Sequence, residues 1–315
     1  MNNVTYNAAK AVLRDCMTVK QDEKLLIVTD EGKYDLAKVF ASAGRELGLN
    51  TVLVEGPVQK GGEMPELCEA ALSKADAALL ITSGSFTHTK GRADATKRGC
   101  RIASMPTITE EIVNKTLSAD FNEVERIGLI LADKLSKCSK IQVATKLGTS
   151  LTLYCEGRTG IADTGKFNEA GAFGNMPAGE AMIAPIETKG KGLLVVDGVV
   201  VGMGILQTPL YITLQDGRIV NVEGDRSKEF LDFINQFDDS SKNVCEFGIG
   251  TNANCHIMGN PLVDEKVFGT IHIACGNNLF MGGQQGGNMH YDMIIKEPTV
   301  YLDDECIIKD GVHIY

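Results

Sequence analysis

The chain has 315 residues, 43% of them hydrophobic and 23% charged, and a formal net charge of −10. That length suits two domains with a normal core, the acidic balance argues against nucleic-acid binding, and no apolar run reaches the ~18–20 residues that span a bilayer. Nine cysteines without a CxxC pair, behind an N-terminus with no basic-then-apolar leader, predict reduced thiols in a cytoplasmic protein.

The N-terminus reads as the start of a helix. Lys24 to Asp30 is a short apolar run and predicts a buried strand. Tyr34 to Leu49 carries helical spacing through Leu36, Val39, Phe40, Ala43 and Leu47. Thr51 to Gly56 predicts a second strand and Pro65 to Lys74 a helix with proline at its start. Ala77 to Thr82 and Arg101 to Met105 are further strands, and Glu110 to Leu117 and Asn122 to Ser136 further helices. Strands alternating with helices predict an N-terminal α/β domain, residues 1–138, with a doubly wound parallel sheet of flavodoxin or Rossmann type. Its first strand-to-helix turn, Asp30 to Asp35, is acidic and lacks a Gly-x-Gly-x-x-Gly pattern, which argues against a dinucleotide site.

The second half has a different grammar. Lys140 to Cys155 alternates apolar and polar residues. Gly192 to Glu223 holds three strand-like runs, punctuated by the hairpin signals Asp197-Gly198 and Asp216-Gly217. A helix from Ser227, read as its N-cap, runs to Phe237, and strands dominate from Val267 onward. Residues 139–315 therefore read as a β-rich α+β domain.

That domain carries the chemistry-bearing residues. Four of the five histidines, His256, His272, His290 and His313, fall in the last 60 positions. On a strand, His290 and Asp292 point to the same face, so an imidazole and a carboxylate converge on one point. His272 lies in a β-branched strand ending at Gly276, and the Gly-, Asn- and Gln-rich stretch from Asn277 to Asn288 predicts a loop over a site. Glu180 and Glu246 sit among apolar neighbours, where a carboxylate needs either a metal or an ion pair, for example with Arg158. Two Glu, two His and one Asp without a thiolate suit Zn, Co, Mn or Fe(II). Five such ligands suffice for two metals sharing a carboxylate, the arrangement that activates a bridging hydroxide. His88 follows the third strand and is either a cleft residue or an exposed loop histidine. No Gly-x-Ser-x-Gly elbow is present, which disfavours a serine hydrolase, and the cysteines read as core.

Taken in order, Gly174 to Glu180 with Ala184-Pro185, then Glu246, His272-Ile273-Ala274-x-Gly276 and Asn288-x-His290-x-Asp292 resemble the M29 metallo-aminopeptidases. Phe86 to Thr89 and Ala103 to Pro106 look like the same family's first domain, so the resemblance covers essentially the whole chain. It implies a two-metal site held by Glu180, Glu246, His272, His290 and Asp292, with Glu180 or Glu246 as base for the metal-bound water. It further implies a homodimer or higher homo-oligomer acting on short peptides or other small molecules, with no nucleic acid and no membrane as partner. The compressed segment from Glu246 to His290 is instead similar to a short branch that includes 2,5-dihydroxypyridine 5,6-dioxygenase. That branch implies one Fe(II) held by two His and one Asp, opening the ring of a dihydroxylated heteroaromatic. Retention of both glutamates tilts the reading toward the aminopeptidase, and a binding protein that kept the fold without the activity is a third reading.

Overall fold

The computed structural model describes residues 3–58 and 62–315. The chain forms two compact units, one comprising Met1–Glu123 with Asp163–Ala178, the other Val124–Ala162 with Gly179–Tyr315. In the first unit, five parallel strands pair in the order Asn50–Gly56, Lys24–Asp30, Ala77–Ile81, Arg101–Ser104 and Phe173–Asn175. Lys24–Asp30 and Ala77–Ile81 are central and almost wholly buried, which explains their continuous apolar runs. The helix Tyr34–Glu46 buries Ala37, Phe40, Ala41 and Ala43; of the expected stripe, Phe40 and Ala43 are buried, and Leu36, Val39 and Leu47 are half-buried.

The division differs from the boundary expected near residue 138. The helix Phe121–Lys137 has an apolar stripe, Ile127, Leu131 and Leu135, at i, i+4, i+8 spacing, and this packs into the core of the second unit. The segment 163–178 returns to the first unit because Phe173–Asn175 extends its parallel sheet beside Arg101–Ser104.

The second unit holds an eight-stranded and a seven-stranded sheet. Ile141, Leu151, Leu194 and Ile212 of the eight-stranded sheet share one core with Ile183, Phe247, Ile273 and Met293 of the other. Asp216-Gly217 closes the expected hairpin, both residues at positive φ. Asp197-Gly198 does not. There the chain leaves the eight-stranded sheet at Val196 and joins the seven-stranded one at Val199, and the Asp197 carboxylate accepts the backbone N–H of Lys296 at 2.9 Å. The expected N-cap is also displaced: the helix Ser227–Ile234 is entered from Arg226, without a side-chain cap. All nine cysteines are free, and eight are buried. Among the described residues no helix is long and apolar enough to cross a membrane.

His313 stacks on Phe268 with ring centroids 4.1 Å apart, and its Nε2 is buried without a hydrogen-bond partner. Burial pushes this imidazole down to about 4. A depressed folded-state value leaves the protein stable above the ordinary histidine range and less stable as pH falls from about 6.5 through 4, because the unfolded chain takes up the proton first. The loss expected is on the order of 1–2 kcal/mol, allowing for the ring's partial exposure. Denaturant unfolding of wild type and His313→Phe at pH 7 and pH 4.5 checks this: the variant loses less on acidification, and equal losses would contradict it.

Candidate metal centre

Side chains alternate between the two faces of the seven-stranded sheet. Ala181, Ile183, Phe247, Ile249, Ile271, Ile273, Tyr291 and Met293 enter the core. Glu180, Glu246, His272, His290 and Asp292 take alternate positions on the same strands and so share the other face. Register places small residues between them. Ala274 pairs with Glu246 on one side and Asp292 on the other, Gly248 pairs with His272, Gly276 with His290 and Gly250 with Glu180. Glycine and alanine thus form a floor, and the charged side chains rise around it.

One strand departs from strict alternation. Val244 belongs to the core, yet Glu246, two residues on, faces the site. The register shift between Val244 and Glu246 supplies the extra residue, Cys245, and a bulge of this kind re-aims the following side chain.

The five side chains meet as two trios that share Glu246. Glu180, Glu246 and His272 form one, and Glu246, His290 and Asp292 the other, with ligand atoms in each within 4.8 Å of one another. Glu246 lies between the imidazoles: its Oε1 is 3.2 Å from His272 Nε2, and its Oε2 is 3.1 Å from His290 Nε2. His272 Nε2 is also 3.3 Å from Glu180 Oε2, and His290 Nε2 is 3.8 Å from Asp292 Oδ1. His290 Nδ1 lies 2.9 Å from the carbonyl of Asn277, which can only accept, so that nitrogen donates and Nε2 is turned to the carboxylates. Phe280 stands beside His290, ring centroids 5.3 Å apart and inclined at 69°.

Electrostatics follow from that packing. Burial works against charge on Glu246, but its hydrogen bonds with His272 and His290 overcome this and hold its carboxyl well below the usual carboxylate range. Burial likewise opposes charge on His272, and the hydrogen bond with Glu246 and the negative charge of Glu180 raise it to about 9. His290 is raised too, burial being outweighed by Asp292, Cys245 and Glu246. Three buried carboxylates therefore demand positive charge where their oxygens converge. Glu180 Oε2 and Asp292 Oδ1 are also buried without hydrogen-bond partners, a costly state for an oxygen unless a cation meets it. A divalent ion fits this donor set of carboxylate oxygen and imidazole nitrogen, with Zn, Mn, Co and Fe(II) all compatible.

The family profile of NicX, 2,5-dihydroxypyridine 5,6-dioxygenase, matches residues 5–314. The chain belongs to this family. A relative with that activity, from Pseudomonas putida KT2440, is 23% identical over 283 residues, which cover 81% of this chain and 79% of the relative. The solved structure of 2,5-dihydroxypyridine dioxygenase from the same organism superposes with a TM-score of 0.85 at 17% identity, covering 98% of this chain and 96% of that one. Wild-type AmpT from Thermus thermophilus superposes with a TM-score of 0.74 at 14% identity, covering 99% of both chains. At these identities the two solved structures speak for the fold alone. Both families named from the sequence motifs thus have a structural counterpart, and the profile places this chain in the dioxygenase family.

The remaining sequence candidates lie elsewhere. His88 is an exposed residue of the first unit. His256 is exposed, with Nδ1 3.0 Å from the Asn254 carbonyl. Arg158 pairs with Glu187 at 2.6 Å, not with Glu180 or Glu246, and donates to the carbonyl of Gly282 at 2.9 Å. It thereby holds the glycine-rich loop: Glu187 also accepts from Asn278 at 2.9 Å and from the backbone N–H of Gln284 at 2.7 Å. Lys266 is the pairing residue that sequence reasoning missed. It is 1% exposed, and its Nζ lies 2.5 Å from Glu180 Oε1 and 2.7 Å from Glu265 Oε1. In sequence, Asp264-Glu265-Lys266 has the look of a solvated helix end, which hid it. Gly248 was findable, because it stands two residues from Glu246 on a strand and so on the same face.

Proposed function

We propose that the protein is an Fe(II)-dependent ring-opening dioxygenase acting on a small dihydroxylated heteroaromatic. Family membership over residues 5–314 carries this reading, and the trio Glu246, His290 and Asp292, with His272 bonded to Glu246 on the same face, supports it as a set of carboxylate and imidazole ligands that suits Fe(II). When bound, iron supplies the electron transfer by which both atoms of dioxygen are added to the ring. The chain's own residues do the rest. Asn277 fixes the His290 tautomer, and Phe280 offers an aromatic surface beside His290.

Anaerobic loading with Fe(II), followed by an oxygen-electrode assay with 2,5-dihydroxypyridine and related diols, tests the reading. Oxygen uptake with ring opening is expected. No uptake with any such ring, together with cleavage of Leu-p-nitroanilide by the Zn, Co or Mn form, would replace it with a two-metal aminopeptidase. That second reading is supported by one specific observation, the division of the five side chains into two trios sharing Glu246.

Phe280 is 57% exposed although it sits at the centre, as suits a platform for a flat ring. Phe280→Ala is expected to raise KM for the aromatic substrate about 3–10-fold, equivalent to ~0.5–1.5 kcal/mol of stacking, with kcat changed less. Steady-state oxygen uptake measures both, and an unchanged KM would remove the platform role.

A further inference from the structure

The acidic centre already contains a cation. Lys266 is almost wholly buried between the short helix Pro261–Asp264 and the strand Thr270–Gly276, and its ammonium bonds Glu180 and Glu265. An ammonium is buried at high cost unless carboxylates surround it, so this placement is specified by those two partners. Glu180 is divided as a result. Its Oε1 is taken by Lys266, and its Oε2 points toward His272. The trio Glu180–Glu246–His272 therefore carries a positive charge on its own ligand before any metal arrives. A divalent ion there would share Glu180 with the ammonium and be repelled by it in a buried setting, where such repulsion is strong. The trio Glu246–His290–Asp292 has no such claim on its Asp292 Oδ1, which is buried and without a hydrogen-bond partner.

We propose that Lys266 limits the centre to a single divalent metal, its ammonium standing beside Glu180 where a two-metal enzyme would carry its second ion. This rests on the one-iron reading above and deepens it, because it explains how five potential ligands can serve a one-metal chemistry. Lys266 is a positioning residue: it acts through Glu180.

Manganese counting tests the proposal independently of turnover. Wild type, Lys266→Met and the double variant Lys266→Met/Glu180→Gln are equilibrated with Mn(II) and analysed for metal per chain and by electron paramagnetic resonance. One ion per chain is expected in wild type. Two ions with an exchange-coupled signal are expected in Lys266→Met, and one again in the double variant, which lacks the buried carboxylate that would hold the second. Should Lys266→Met fold only when Mn(II) is supplied, uptake of two ions per folded chain also supports the proposal, the metal replacing the ammonium. A Lys266→Met protein that holds one ion, or that Mn(II) does not restore, overturns it and leaves the iron reading standing. Two ions in wild type overturn both. One ion in wild type and two in Lys266→Met, with no oxygen uptake by the iron form of wild type, sustain the proposal and sink the dioxygenase reading alone.

Discussion

His290→Ala should lower Fe(II) affinity by at least about 100-fold and abolish oxygen uptake, while leaving the fold intact. Loss of a partner that merely orients a ligand already costs 10–100-fold in metal affinity, so loss of the imidazole itself costs no less. The fold survives for a structural reason: His290 is the least buried of the five, about a quarter of its side chain being exposed, and it opens the strand that follows the glycine-rich loop. Its removal also leaves Asp292 Oδ1 and Glu246 Oε2 without the nearby imidazole, which favours neither in the metal-free state. His256→Ala is the matched control, because that exposed imidazole contacts the Asn254 carbonyl. Iron titration under anaerobic conditions and an oxygen electrode read both variants. Full iron affinity in His290→Ala, or an equal loss in His256→Ala, would remove the centre from its assigned place.

Period-two patterning made the centre visible in the sequence. His290-x-Asp292 share a face because strand side chains alternate, and the flanking Tyr291 and Met293 are in the core as that rule requires. His272 is legible from its β-branched strand and the glycine-rich stretch after it, and its neighbours Ile271 and Ile273 enter the core as alternation requires. Glu246 was reachable only through its apolar neighbours and the family resemblance. The bulge at Cys245 breaks the alternation that would otherwise tie Glu246 to the face of Val244, and one sequence carries no clear mark of a bulge. The ion-pair alternative was right in kind for Glu180 and wrong in partner. Lys266 lies 86 positions away, and only tertiary packing buries it beside Glu180.

The fold shows the same division between local and distant information. The central strands of the parallel sheet were legible as uninterrupted apolar runs. The return of 163–178 was not, since the three residues Phe173–Asn175 are too few to show a period and gain their place by pairing with Arg101–Ser104. Asp197-Gly198 and Asp216-Gly217 have the same chemistry and different outcomes. Asp216-Gly217 joins two strands of one sheet with both residues at positive φ, whereas the strands flanking Asp197-Gly198 belong to different sheets. The aminopeptidase reading leaned on two glutamates facing one site, a statement about composition. The family match is what shifts the weight toward the dioxygenase family.

Gly248→Ala should disable the centre without altering a single ligand. Gly248 pairs with His272 across adjacent antiparallel strands, and a Cβ there would overlap the imidazole. Exposed side chains relieve such clashes by rotating away, but His272 is fully buried and its Nε2 is drawn toward Glu180 and Glu246. The added methyl must therefore push the ring off its position or spread the two strands, and overpacking of this kind costs about 1–3 kcal/mol. For a chain of this size that corresponds to a fall in Tm of at least roughly 2–4 °C per kcal/mol for the affected unit. The functional effect is larger. His272 bonds Glu246, the carboxylate shared by both trios, so a ring displaced by an ångström takes Glu246 off the geometry a metal requires, and iron affinity should fall at least about tenfold and oxygen uptake with it. Gly286→Ala gives the comparison, since a Cβ at that loop position meets only Leu279 at an ordinary 3.5 Å. Thermal unfolding of the metal-free proteins separates the packing cost from the metal effect. If Gly248→Ala binds iron as tightly as Gly286→Ala, the imidazole is not held against that strand, and His272 does not position Glu246 for the metal.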